Sequence, residues 1–140
     1  MTTAIDSNVL VALWNSDDSL NLSAQKALRK ARSSGLLVIS APVFAELIAS
    51  PSRNEAFVDS FCSETGIAIE WDLDESIWRA AGRAFQHYAG RRKTESGSKP
   101  RRILADFVIG AHALRRGYRL LTLDEGLYRA AFPRLALSAF

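Results

Sequence analysis

Four acidic residues stand in apolar company, where a soluble protein seldom leaves a carboxylate without a partner. Asp6 follows Ala4-Ile5, and Val9-Leu10-Val11-Ala12-Leu13-Trp14 resumes just after it. Glu46 is set between Val43-Phe44-Ala45 and Leu47-Ile48-Ala49. Asp106 lies inside Ile103-Leu104-Ala105-Asp106-Phe107-Val108-Ile109, and Asp124 ends Leu120-Leu121-Thr122-Leu123. Taken singly, each is equally well read as a helix cap or an edge residue, and Asp106 as a first-turn acid favoured by the helix dipole. Taken together, two of them terminate strands and two lie early in helices that follow a strand or loop. In a parallel α/β fold both kinds of position face one crevice. Carboxylates gathered there repel by roughly a few kcal/mol per close pair at an effective dielectric near 20, so they must take up protons or bind cations. An all-oxygen donor set suits Mg²⁺ or Mn²⁺. Zinc is not indicated, because Cys62, His87 and His112 show no ligand spacing. His112 shares the segment of Asp106 and reads as a packing or surface residue. Ser7, next to Asp6, and Thr122, two before Asp124, offer hydroxyls that would orient carboxylates. Ordinary turn and strand chemistry accounts for them as well. Asn8 reads as a helix starter.

The elements that must position these acids alternate along the chain. A strand ends at Asp6, and Val9 to Trp14 starts a helix. Leu22, Ala24, Ala27, Leu28 and Ala31 recur at helical spacing up to Gly35. Leu36–Ser40 is a second strand, and Pro42 opens the helix that carries Glu46. Arg53 to Ser63 reads as a helix and Ile67–Trp71 as a third strand. Asp74 caps a helix whose stripe is Ile77, Trp78, Ala81, Phe85 and Tyr88. Gly90 to Arg102 reads as a loop, rich in Gly, Ser, Pro and basic residues. Ile103 to Arg116 is an apolar helix stopped by Gly117, Tyr118–Leu123 a fourth strand, Gly126 to Ala131 a short helix, and Leu135–Phe140 a closing strand. Strand and helix in alternation predict a parallel sheet with helices on both faces.

The chain has 140 residues, 48% hydrophobic and 24% charged. That predicts one soluble domain over 1–140. No apolar run is long enough to span a bilayer, and the N-terminal stretch has no secretory signal pattern. A single cysteine rules out an intrachain disulfide and fits a cytoplasmic location. The net charge of +3 hints at a polyanionic partner. Arg91, Arg92, Lys93, Lys99, Arg101 and Arg102 crowd one segment, opposed only by Glu95. Arg91, Arg92, Arg101 and Arg102 are therefore candidates for phosphate-backbone contact, with a solvated loop as the equal alternative.

With these residues laid out, the chain resembles the PIN-domain ribonucleases, specifically the VapC-type toxins of toxin–antitoxin pairs. Four segments carry the resemblance: Ile5-Asp6-Ser7-Asn8-Val9-Leu10, Val43-Phe44-Ala45-Glu46-Leu47, Arg102 through Ala113, and Leu120 through Tyr128. The resemblance implies a PIN domain with a five-stranded parallel sheet in the order 3-2-1-4-5, flanked by helices. It implies a metal site of Asp6, Glu46, Asp106 and Asp124, with Ser7 at a position usually held by Ser or Thr. Glu125 adjoins Asp124 and competes for the fourth place; Asp124 is taken here. The resemblance further implies homodimers, and a VapB-like antitoxin whose tail enters the active-site groove.

The expected chemistry is hydrolysis of an RNA phosphodiester by Mg²⁺- or Mn²⁺-activated water; the resemblance implies transfer or ribosomal RNA as the substrate, and 5′-phosphate and 3′-hydroxyl ends. The competing reading is a catalytically inactive PIN fold that only binds RNA or protein; four acids in place argue against it. A phospho-receiver domain is also a small α/β unit with an acidic pocket. It needs an acidic pair after the first strand and a late lysine, and this chain has neither at those places.

Overall fold

The computed structural model describes residues 1–51, 53–96, 104–138 and 140. Its central strands are short and fully buried, as expected where a parallel sheet is covered by helices. β1 (Thr3–Ile5) and β2 (Leu37–Ser40) expose no residue. β1 leads into α1 (Ser7–Trp14) and α2 (Asn21–Ser34), and β2 into α3 (Ala41–Ile48) and α4 (Glu55–Thr65). Next come β3 (Ala68–Glu70), α5 (Glu75–Ser96), α6 (Leu104–Arg116), β4 (Arg119–Leu121) and α7 (Glu125–Ala131). All strand pairs are parallel, in the order β3-β2-β1-β4. The register pairs Ile5 with Leu121, Ala4 with Val38, and Ser40 with Glu70. Asp6, α3 and Thr122 therefore leave the sheet on the same side, at the carboxyl ends of the strands.

Local chemistry explains the helix ends. The side chain of Asn54 accepts the Phe57 N–H at 2.9 Å and caps α4, and Asp74 accepts the Ile77 N–H at 3.1 Å at the start of α5. Pro42 sits in the first turn of α3. Gly66 closes α4 at φ 73°, in the left-handed region that glycine enters without steric cost. The core between sheet and helices is built on Ile5, Leu10, Ile39, Leu47, Ile77, Phe107, Ile109, Leu120 and Leu121, all essentially inaccessible to solvent. Among the described residues no helix is long and apolar enough to cross a membrane.

Two expectations are corrected. The fifth strand is reduced to one parallel bridge between Leu120 and Leu137, held by Leu120 N–H to the Ala136 carbonyl and Ser138 N–H to the Leu120 carbonyl, both 2.9 Å. It lies beside β4, as the order 3-2-1-4-5 requires, but the turn at Pro133 and Arg134 leaves little extended chain for a ladder among the described residues. The segment from Gly90 does not begin a loop. α5 runs on through Arg91 and Arg92 to Ser96, because one glycine costs a helix only about 1 kcal/mol and the residues after it are mostly good helix formers. Arg101 and Arg102 lie outside the described residues.

Gly110 marks the closest approach of α6 to the C-terminal segment. A Cβ there would run into the ring of Phe132, itself buried. Gly110→Ala should therefore lower stability by about 1–2 kcal/mol, the overpacking cost outweighing a gain of about 1 kcal/mol in helix propensity. An unchanged urea midpoint would show that the Phe132 ring can step aside freely.

Candidate active site

Asp6 is the best-held acid in the molecule. It caps α1 with extended backbone, and its own N–H donates to the Leu121 carbonyl at 2.9 Å, tying the cap to β4. The carboxylate is 2% exposed, so burial outranks every other influence on it. One oxygen, Oδ1, accepts the Ser7 N–H at 2.8 Å. The other, Oδ2, accepts the Thr122 hydroxyl at 2.8 Å and the Tyr128 hydroxyl at 3.1 Å. Burial still pushes its pKa up, helped by the charge of Glu46, against the opposing hydrogen bonds.

The other acids are arranged around it. Glu46, half-buried on α3, accepts the Ser7 hydroxyl at 2.8 Å through Oε1. Ser7 thus contributes its N–H to one carboxylate and its hydroxyl to another. Asp106 lies half-buried in the first turn of α6. Burial, then the charges of Asp6, Glu46 and Asp124, push its carboxyl up to about 6, offset in part by the Tyr128 hydroxyl. Asp124 precedes α7, exposed and making no capping bond with its side chain. All four acids thus share one electrostatic neighbourhood.

Two contributors are not evident from the sequence. Tyr128 lies one turn into α7 from Asp124, and burial with the charges of Asp6 and Asp106 drives its pKa upward, so it remains a protonated donor. Asn8 is more than a helix starter. Its Oδ1 accepts the Leu123 N–H at 3.1 Å and its amide reaches the Thr122 hydroxyl at 3.5 Å. Thr122 also accepts the Asp124 N–H at 3.0 Å. One threonine oxygen therefore joins β4, α1 and the loop bearing Asp124. Of the four arginines singled out from the sequence, Arg91 and Arg92 belong to α5.

His112 takes no part in this cluster. It is fully buried, and its Nε2 lies 2.8 Å from Glu70 Oε1, while the Tyr118 hydroxyl donates to Glu70 Oε2 at 2.7 Å. Burial lowers the His112 pKa. Burial also pushes Glu70 up, but the Tyr118 and His112 hydrogen bonds outweigh it and hold Glu70 low. A neutral imidazole donating from Nε2 to a carboxylate satisfies both. It leaves Nδ1 as a buried acceptor without a partner among the described residues.

The donor chemistry of the acid cluster fits a hard divalent cation. It consists of oxygen ligands alone, and the charges of its neighbours raise the affinity of Asp106 and Asp6 for positive charge. Among the described residues no three His, Cys, Asp or Glu side chains are grouped closely enough to hold a metal ion as they stand.

The cluster's electrostatics set a pH dependence. The carboxyl of Asp106 holds its proton up to about pH 6 in the folded chain, against the ordinary value of 3.8. Between those values the native state binds more protons than the unfolded state, so this group makes the fold less stable as pH rises from about 4 through 6. His112 acts oppositely below its ordinary 6.5, because its folded pKa is depressed. The test is therefore a difference. In chelator, Asp106→Asn should unfold at higher urea than wild type at pH 7.5, the gap narrowing as pH falls toward 4. Adding Mg²⁺ should close the gap at pH 7.5 by stabilising wild type alone. A gap independent of pH contradicts the coupling of these acids.

Comparison with known proteins agrees with this fold. The chain is similar in structure to one chain of VapBC2 from Rickettsia felis, solved with a promoter DNA fragment. The TM-score is 0.67 at 22% identity, covering 99% of this chain and 98% of the other. It is similar to a chain of VapBC-1 from nontypeable Haemophilus influenzae, with TM-score 0.68, 20% identity and coverage of 99% and 97%. It is also similar to VapC20 of Mycobacterium tuberculosis, described as a Sarcin-Ricin loop cleaving toxin, with TM-score 0.58, 15% identity and coverage of 91% and 94%. No match is found among curated protein sequences. The PIN domain model matches residues 3–133, nearly the whole length, and the chain belongs to the PIN domain family.

Proposed function

We propose that this chain is a metal-dependent endoribonuclease and the toxin of a toxin–antitoxin pair. The observation that carries the reading is the carboxyl of Asp106, lifted to about 6 by burial and by the charges of Asp6, Glu46 and Asp124. Such mutual repulsion is costly to a fold that uses it for nothing, and a divalent cation relieves it. Asp6, Glu46, Asp106 and Asp124 would hold Mg²⁺ or Mn²⁺. Bound there, the ion supplies Lewis-acid polarisation of the phosphodiester and a lowered pKa for a water nucleophile.

The chain's own residues supply orientation. Ser7, Thr122 and Tyr128 hold the Asp6 carboxylate from three directions, and Ser7 also fixes Glu46. Tyr128 stays protonated and serves as a donor rather than a base. No histidine is needed at the site, and His112 is committed to Glu70. The basic residues Arg91, Arg92, Arg101 and Arg102 are proposed to contact the phosphate backbone. The structural neighbours from Rickettsia and Haemophilus are chains of VapBC complexes, which supports a VapB-like antitoxin as partner; a homodimeric toxin is part of the same proposal. The relative described as a Sarcin-Ricin loop cleaving toxin supports ribosomal RNA as a substrate class; transfer RNA is the other class proposed.

Induced expression followed by sequencing of RNA 5′ ends tests the reading. Growth arrest with discrete new 5′-phosphate ends is expected. Arrest with no new ends, or ends equally abundant without the protein, overturns it.

A further inference from the structure

Away from the acids, a cleft of about 360 Å³ opens between α5, α6 and the residues after α7. Arg83 and His87 line it from α5, Arg115 from the last turn of α6, and Arg134 from the C-terminal segment; Ala84 and Phe132 give apolar wall. Among the described residues no acidic side chain lines it. Neighbouring arginines have found carboxylates: Arg79 pairs with Glu75 at 2.7 Å, Arg129 with Glu125 at 2.7 Å, and Arg116 lies 3.6 Å from Glu70. Among the described residues Arg83, Arg115 and Arg134 have no carboxylate partner. Three uncompensated guanidinium groups around one concavity repel each other, and low-dielectric walls focus their field outward. Guanidinium groups match phosphate oxygens in geometry as well as charge.

The position of the cleft narrows the choice of anion. α5 and α6 run antiparallel: Phe85 stacks on Phe107 at 4.8 Å near the start of α6, while Ala80 and Leu114 meet in the cleft near its end. Arg83 and His87 thus form an i, i+4 row that climbs toward the end of α6 holding Asp106. Arg115 is nine residues beyond Asp106, about 14 Å along the helix axis. We propose that this cleft is a second phosphate site that grips the RNA backbone away from the scissile bond. It strengthens binding without touching the reacting atoms. The proposal rests on the ribonuclease reading above.

The test compares the full chain with a variant carrying Arg83→Gln, Arg115→Gln and Arg134→Gln. A second variant, with Lys26→Gln, Arg29→Gln and Lys30→Gln on α2, loses the same charge elsewhere. Binding of a labelled single-stranded RNA is measured in chelator across a salt series, and cleavage kinetics with Mg²⁺. The cleft variant should lose about 2 from the slope of log K against log salt, near 0.7 for each of three phosphates. Its KM should rise about tenfold with kcat unchanged, while the α2 variant keeps the wild-type slope. Should the triple variant fail to fold by its urea transition, Arg83→Gln and Arg134→Gln are used singly, each expected to lose about 0.7. Equal losses in both triple variants overturn the cleft as a site, leaving only net charge. A cleft variant with the wild-type RNA slope that has lost binding of inorganic pyrophosphate overturns it in favour of a small phosphorylated ligand. Wild type that cleaves RNA, with a cleft variant matching it in slope and KM, sinks the cleft alone. Wild type without metal-dependent cleavage of RNA sinks the ribonuclease reading and the cleft together.

Discussion

Asp6→Asn is expected to reduce RNA cleavage by about three orders of magnitude or more while leaving a folded chain. The size follows from losing a ligand of the ion that stabilises the transition state, where about 4 kcal/mol is a factor of a thousand. The fold survives for a local reason. The asparagine carbonyl can still accept the Ser7 N–H, and its amide faces the Tyr128 hydroxyl, which can turn its proton toward Asp106 and accept. The substitution also removes a buried charge whose pKa burial already raises. Stability in chelator should therefore be kept or improved while kcat collapses. Single-turnover cleavage beside a urea titration reads both. Cleavage within tenfold of wild type would mean that Asp6 is only a helix cap.

Thr122→Val should cost both stability and activity, for separable reasons. The valine has the same shape without the hydroxyl. The Asp124 N–H, which Thr122 accepts at 3.0 Å, is left without that acceptor, and Asn8 loses a contact at 3.5 Å. The Asp124 donor is only part-buried, so its loss of an acceptor costs about 1 kcal/mol, the low end of the range for unsatisfied groups. Asp6 loses one of the two donors on Oδ2 but keeps Tyr128. Removing a hydrogen-bond partner of a metal ligand lowers metal affinity about 10–100-fold. Activity at low Mg²⁺ should fall by that factor and recover at high Mg²⁺, and Thr122→Ser should restore both stability and activity. An unaltered Mg²⁺ requirement in Thr122→Val would sever the link between this hydroxyl and the ion.

How much of this is legible in the sequence depends on the range of the interaction. Buried parallel strands read as unbroken apolar runs, so the acids that follow them, Asp6 directly after β1 and Asp124 three residues after β4, stand out. Glu46 and Asp106 stand out because helical apolar faces rarely carry a carboxylate. Tyr128 is invisible by the same logic, since an aromatic residue in a short amphipathic helix reads as core, and only the meeting of α7 with β1 gives its hydroxyl to Asp6. Asn8 has the composition of a helix starter, yet it bonds residues more than a hundred positions away. His112 reads as a packing or surface residue; it is fully buried, and its partner Glu70, 42 residues away, could not be foreseen. The extent of α5 is missed because Gly90 looks like a terminator, and the fifth strand is overdrawn because an apolar tail says nothing about how many ladder bonds it will make.

The central claim is that Asp6, Glu46, Asp106 and Asp124 hold a divalent cation that activity requires. Crystals grown with Mn²⁺ and measured at the manganese absorption edge test it most directly. Anomalous peaks are expected among these carboxylates, within about 2.3 Å of their oxygens. An empty cluster, in protein that cleaves RNA at the same Mn²⁺ concentration, would contradict it.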